Sequence, residues 1–252
     1  MTTRHPPRRA LVTGVSRGIG RAIAVRLLED HWEVHGTFRS SRGPAETLSQ
    51  EFSNLTLHRV DLADADAIEH LTGALDGQPL DGLVNNAGII DFEDMDSFDL
   101  QSWRCTLEVN LTAPVRLARA LEQQLKGGAI VNVASTDALI GSFASISYGV
   151  SKAGLLNATK SLGNLLARSD IRVNAVSPGW IDTDMTTEAA LAARLSPMAR
   201  NGTPEEVANV VAWLLGREAS FMTGASVVVD GGYTNVDYVM ITEAKGEVPD
   251  GG

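Results

Sequence analysis

Short apolar runs alternate with amphipathic stretches along most of the chain. Arg9-Ala10-Leu11-Val12-Thr13 is a compact apolar run ended by Gly14, which predicts a buried strand. Gly18 to Asp30 follows with apolar residues at Ile19, Ile23, Val25, Leu27 and Leu28, a pattern that predicts an amphipathic helix. The same reading predicts strands at Glu33 to Phe38, Thr56 to Val60, Gly82 to Asn85, Ala129 to Ala134, Arg172 to Val176 and Ser226 to Val229. It predicts helices at Asp64 to Leu75, from near Asp99 to about Leu125, from Tyr148 to about Arg168, and at Pro204 to Leu215. The last has proline in its first turn and Thr203 as its N-cap. Strands alternating with helices predict a parallel α/β sheet covered on both faces. No linker or internal repeat interrupts the pattern, so residues 1–252 are read as one domain. Residues 1–8 are read as a flexible arm and 233–252 as a loose tail. Thr186 to Arg200 is polar and alanine-rich, a candidate lid.

Composition narrows the classes. Apolar residues make up 44%, ample for a core, and 24 glycines imply many tight turns. A formal charge of −10 argues against nucleic acid and against anionic membrane surfaces as partners. Cys105 is the only cysteine, so no internal disulfide forms, which fits a reducing compartment. The N-terminus lacks the apolar segment of a signal peptide, and no apolar run reaches the roughly 18 residues of a membrane span. A cytoplasmic protein is expected. The five histidines lie outside every motif below, and no metal site is expected.

The candidate chemistry sits at turns and strand ends. Thr13-Gly14-Val15-Ser16-Arg17-Gly18-Ile19-Gly20 lies between a strand and a helix. There, backbone N–H groups and the helix dipole face an anion, and glycine lets the backbone approach a phosphate. Alone it would also fit a plain glycine turn. The spacing differs from G-x-G-x-x-G, so another dinucleotide-binding class is implied. At the end of the second strand come Phe38, Arg39, Ser40 and Arg42, with no carboxylate to hold a ribose hydroxyl. Guanidinium groups suit a ribose phosphate, which favours NADP(H) over NAD; a solvated turn is the plainer reading. Asn85-Asn86-Ala87-Gly88 follows the fourth strand, leaving room for a flat ligand, and Ser135 ends the fifth. Asn110 sits inside a helix, where asparagine is a poor choice. If it faces the core it distorts the helix and holds a water; a solvent-facing side chain fits as well. Tyr148 and Lys152 are four residues apart, so they share a helix face one turn apart. An ammonium beside a phenol is expected to pull the phenol's pKa down from about 10. Such a tyrosine exchanges protons with a substrate oxygen. By itself the pair also fits a surface contact.

Taken in order, these motifs resemble the short-chain dehydrogenase/reductase family, and within it the β-ketoacyl-(acyl carrier protein) reductases. The resemblance covers roughly Arg9 to Tyr233, including the thirteen-residue interval from Ser135 to Tyr148. It implies a doubly wound, Rossmann-like fold with a seven-stranded parallel sheet. It implies a catalytic set of Asn110, Ser135, Tyr148 and Lys152. It places NADP(H) on Gly14, Ser16, Arg17, Gly18, Ile19 and Gly20, on Arg39 and Ser40, and on Asp61 and Leu62 at the adenine. Asn86, Ala87 and Gly88 would line the cofactor channel. Pro178, Gly179, Ile181 and Thr183 would lie by the nicotinamide, and Tyr148 and Lys152 by its ribose. The implied reaction reduces a ketone to a secondary alcohol, with Tyr148 as general acid. A homotetramer, or else a dimer, is implied, pairing the helices that carry Asn110 and Tyr148.

Three departures qualify the resemblance. The segment between Met185 and Pro204 is short. Asp137 and the run Asp91, Glu93, Asp94, Asp96 and Asp99 make an acidic neighbourhood that disfavours an acidic carrier protein and tolerates a neutral or cationic small molecule. The tail past Gly232 is long. The expected activity is a biosynthetic ketoreductase. The alternatives are 3-oxoacyl-(acyl carrier protein) reduction, NAD-dependent alcohol oxidation, and nucleotide sensing without turnover.

Overall fold

The structure is a computed structural model that describes residues 7–142, 144–183 and 196–237. Seven parallel strands form one sheet in the order β3-β2-β1-β4-β5-β6-β7. They are β1 (Arg9–Val12), β2 (Glu33–Phe38), β3 (Leu55–Arg59), β4 (Gly82–Asn85), β5 (Ala129–Val133), β6 (Arg172–Pro178) and β7 (Ser226–Val229). The helices are α1 (Gly18–Glu29), α2 (Arg42–Glu51), α3 (Ala65–Ala74), α4 (Leu100–Leu107), α5 (Ala113–Ala120), α6 (Ile146–Leu166) and α7 (Pro204–Leu215). The seven-stranded doubly wound sheet expected from the resemblance is what the chain forms.

The strand pleat sorts the core into two layers. Ala10, Val12, Val84 and Val131 point to one face, with the buried residues of α1 and α7. Leu11, Leu83 and Ile130 point to the other, with Ile68 and Leu71 of α3 and Leu117 of α5. Successive strand side chains alternate faces, so these short runs are apolar throughout rather than alternating. Thr203 caps α7 with Glu206 in a reciprocal capping box, as the sequence pattern anticipates.

Two segments differ from expectation. No element is expected between Ser40 and Thr56, yet α2 forms there. Only Ala45 and Leu48 of α2 are buried, so its apolar signal is thin; an Arg42–Glu46 ion pair at 2.6 Å spans one turn. The long helix expected from Asp99 to Leu125 is interrupted. Asp99 caps α4, but Glu108–Thr112 is a π turn between α4 and α5. The expected lid lies mostly in 184–195, outside the described residues, as do 1–6 of the arm and 238–252 of the tail.

His35 and His58 meet on neighbouring strands, with His35 Nδ1 and His58 Nε2 3.0 Å apart. Burial, then the neighbouring His58, lowers the His35 pKa to about 4, and burial lowers that of His58. The folded state therefore resists protonation that the unfolded chain accepts, and stability is full above about 6.5 and is lost as pH falls toward 4. The thermal midpoint should decline over that window. His35→Gln should flatten the decline; an unchanged slope in the variant would place the pH dependence elsewhere.

Candidate active site

The carboxyl ends of β1, β4, β5 and β6 open on one edge of the sheet. Strand order reverses between β1 and β4, and a doubly wound sheet leaves its ligand crevice at that point. Thr13 holds the crevice together. Its Oγ1 accepts the N–H groups of Asn86 at 2.9 Å and Ala87 at 3.0 Å and donates to the Val84 carbonyl at 3.3 Å. Asn86 Nδ2 returns a hydrogen bond to the Thr13 carbonyl at 2.9 Å. Thr13 enters the motif on sequence, but this bridging role depends on two strands meeting and has no local signal. Deeper in, Asn85 donates to Asn132 and Asn132 to Thr159, tying β4 and β5 to α6.

The glycine turn runs from Gly14, at φ +76°, into α1. The N–H groups of Gly14 and Val15 bond to the Thr37 carbonyl and anchor the turn on β2. Those of Ser16, Arg17, Gly18, Ile19 and Gly20 have no protein partner among the described residues. No side chain caps α1, and no acidic residue occupies its first turn. An open row of donors at a positive helix end fits a diphosphate. Thr183 closes over this row, its methyl 3.4 Å from where a Gly18 Cβ would lie. Ile181 is buried and bridges to Gly202, and Gly179 packs against Asp230. Pro178 is the last residue of β6 and brings these residues to the same edge.

At the end of β2, Arg39 and Ser40 are exposed. Arg17 and Arg39 have no carboxylate partner among the described residues, whereas Arg42 is taken by Glu46. Arg59 comes beside Arg39, its Nε donating to the Arg39 carbonyl at 3.2 Å. It is a third cation that the pattern along β2 does not reveal, because it arrives from β3. Asp61 turns the chain after β3 by accepting the Ala63 N–H at 3.0 Å, and Leu62 is buried beside it.

Asn110, Ser135, Tyr148 and Lys152 come from three separate segments and converge at the edge of β4 and β5. Ser135 follows β5, and its hydroxyl lies beside that of Tyr148. Lys152 is buried, and its Nζ donates to the Val133 carbonyl at 2.8 Å, 5.5 Å from the Tyr148 ring centre. Asn110 is buried in the π turn. Its Oδ1 accepts from the Ile89 N–H at 2.9 Å, and its Nδ2 donates to the Ile89 carbonyl at 2.9 Å and to Ser151 Oγ at 3.0 Å. Both amide hydrogens are used within the protein, which leaves the second lone pair of Oδ1 as the side chain's open site for a water. Gly88 lies between the groups: a Cβ there would sit 3.3 Å from Asn110 Oδ1 and 3.4 Å from Lys152 Nζ.

The expected effect of Lys152 on Tyr148 is reversed in this structure. Desolvation raises the tyrosine pKa to about 12; the Ser135 hydrogen bond works the other way, and the nearby Asp137 charge raises it further. The partly exposed ring lets solvent relieve some of that desolvation. Lys152 is itself lowered to about 8 by burial. Shared helix spacing could not show that burial outweighs an ammonium directed at a carbonyl.

The acidic run also reads differently. Asp94 accepts three hydrogen bonds from Asp96 and Ser97, Asp99 caps α4, and Asp91 takes the Ser102 hydroxyl. Glu93 is buried, and its Oε1 accepts the Ser147 N–H at 2.6 Å. It therefore caps α6 one residue before Tyr148, in place of Ser145, which donates to the Asp91 carbonyl. That cap starts α6 at Ile146 rather than at Tyr148. These carboxylates serve the local fold rather than a shared cation site.

A family profile described as enoyl-(acyl carrier protein) reductase matches residues 14–234. The 3-oxoacyl-[acyl-carrier-protein] reductase FabG of Vibrio harveyi is 36% identical over 236 residues, covering 88% of this chain and 96% of that protein. A solved short-chain dehydrogenase from Burkholderia cenocepacia in complex with NADP superposes with a TM-score of 0.86 at 34% identity, over 90% of this chain and 98% of that one. BdcA in complex with NADPH superposes with a TM-score of 0.84 at 33% identity, over 89% and 93%.

Proposed function

The chain belongs to the short-chain dehydrogenase/reductase family, and from that premise we propose that it is an NADP(H)-dependent ketoreductase acting on a small carbonyl compound. One observation carries the reading: the Tyr148 phenol lies beside the Ser135 hydroxyl, with the buried Lys152 ammonium one turn on, at the same sheet edge as the open donor row. Bound NADPH supplies the hydride. The residues from Ser16 to Gly20 take its diphosphate, and Arg17, Arg39 and Ser40, joined by Arg59, take the ribose phosphate. Asp61 and Leu62 flank the adenine; Asn86, Ala87 and Gly88 line the channel. Pro178, Gly179, Ile181 and Thr183 border the nicotinamide.

As the carbonyl carbon is reduced, negative charge gathers on its oxygen. Ser135 donates a hydrogen bond to that oxygen and Tyr148 delivers a proton to it. Lys152 orients the ribose beside Tyr148, and Asn110 positions the route that returns a proton from solvent. We place the whole of 1–252 in one cytoplasmic domain. Support comes from the lone Cys105 and from the finding that no described helix is long and apolar enough to cross a membrane. Homo-oligomer formation is supported by Val150 and Leu165, which leave apolar side chains on the outer side of α6.

The test is NADPH consumption, followed by absorbance, with a panel of cyclic, aliphatic, aromatic and amino ketones and with acetoacetyl thioesters, each repeated with NADH. Fast ketone turnover with NADPH supports the reading; no turnover on any ketone with NADPH bound defeats it. A second reading, reduction of a carrier-bound 3-oxoacyl group, has the likeness to FabG behind it, and fast turnover of the thioesters alone would favour it. Arg39→Ala should raise the KM for NADPH about tenfold or more and leave that for NADH nearly unchanged, since a charge-assisted contact to the phosphate contributes roughly 1.5–3 kcal/mol. Equal effects on both cofactors would move the phosphate site away from Arg39.

A further inference from the structure

We propose that Asp137 selects the substrate: its carboxylate receives a cationic nitrogen on the carbonyl compound, so that the favoured substrates are amino ketones. The inference rests on the ketoreductase reading and names the substrate class for that same site. Asp137 sits in a short turn, Thr136–Ala138, directly after Ser135. Its N–H donates to Ser135 Oγ at 3.1 Å, the hydroxyl beside the Tyr148 phenol. The turn packs on α6 beside the tyrosine, with the Asp137 carbonyl 3.4 Å from where a Gly149 Cβ would lie. The backbone of Asp137 is thus fixed beside the pair of hydroxyls that hold the reacting oxygen, and its carboxylate is near enough for its charge to act on Tyr148.

Among the described residues no protein group answers the charge of Asp137. The side chain is half-buried, yet among the described residues it accepts no hydrogen bond and forms no ion pair. Of the acidic residues in the run, Asp91, Asp94 and Asp99 have donors and Glu93 has one on Oε1, whereas Asp96 has none and is exposed to water. A carboxylate taken partly out of water loses solvation, and the usual compensation is a cation or a set of donors. No protein group supplies one at Asp137, which leaves its charge open to an ammonium on the substrate. That ammonium would be drawn in while the carbonyl oxygen engages Ser135 and Tyr148, and two anchors fix one orientation for hydride delivery. A neutral ketone of the same shape leaves the carboxylate unanswered, and an anionic one is repelled.

The experiment compares dimethylaminoacetone, protonated near neutral pH, with isobutyl methyl ketone, its neutral isostere, using NADPH and the full chain. The amino ketone is expected to have a kcat/KM at least about tenfold higher, the scale of a charge-assisted contact. In Asp137→Asn the ratio of the two values should fall by about tenfold or more. Reduction of both ketones at similar efficiency by the unaltered protein, or an unchanged ratio in the variant, overturns the inference while leaving the ketoreductase reading intact. Failure to reduce either ketone or any other in the panel overturns both. A protonated α-nitrogen also makes the carbonyl more electrophilic, so the fall of the ratio on removing the carboxylate decides the matter, with Asp137→Ser read in place of Asp137→Asn where the latter does not fold.

Discussion

Tyr148→Phe should lower kcat for ketone reduction by about 10²–10⁴-fold, the usual worth of a positioned general acid, and leave NADPH affinity within about twofold of the unaltered protein. The hydroxyl removed is the one beside Ser135, and burial raises its pKa to about 12. At neutral pH the group is therefore a loaded proton donor, which suits reduction. The ring stays, so the packing around α6 is kept. Lys152 stays too, because its ammonium is held by the Val133 carbonyl rather than by the phenol. Binding and chemistry should therefore separate. Steady-state NADPH consumption reads the first loss, and quenching of protein fluorescence by NADPH reads the retained binding. Near-normal turnover in the variant would falsify the assignment of Tyr148 as the acid. A parallel loss of nucleotide binding would show that the hydroxyl supports the cofactor site instead.

Gly20→Ala is the second large effect, and it acts on the frame of the site. A Cβ at residue 20 would lie 2.1 Å from the Gly14 carbonyl oxygen and 2.3 Å from Asn86 Nδ2. The oxygen belongs to the backbone of the phosphate turn, and Asn86 bonds to Thr13 across the crevice, so neither can swing aside alone. Overpacking of this kind costs about 1–3 kcal/mol, which for a chain of this size is a fall of roughly 2–12 °C in the thermal midpoint. The shifted turn also carries the free N–H groups of Ser16 to Gly20 off their common point, so NADPH affinity should fall by about tenfold or more. Gly73→Ala is the control. Nothing lies within 4 Å of its added Cβ, and it sits inside α3, where alanine is the better helix former. That variant should be as stable or more so. Equal midpoints for the two variants would mean the turn yields more easily than its contacts indicate.

Much of this was legible because it is local. Strands such as β4 and β5 are short, mostly apolar runs that are buried throughout, and α7 carries its own start signal in Thr203 and Pro204. The ordered set from Thr13 to Gly179 is legible for another reason: each motif sits at a strand end, and a parallel sheet brings those ends to one edge. The helix α2 escaped because exposed polar residues form most of it and only two of its side chains are buried.

Chain order and side-chain periodicity determine the alternation of strands and helices, the open turn before α1, and the tyrosine and lysine on one face of α6. These depend on neighbours within a few residues, where backbone geometry leaves few choices. Tertiary structure decided the rest. It turned Asn110 inward within a π turn, set Glu93 as the cap of α6, brought Arg59 beside Arg39, and left Asp137 without a partner. It also reversed the expected shift at Tyr148. Burial and the approach of groups distant in sequence set solvation and pairing, and no pattern along the chain measures either.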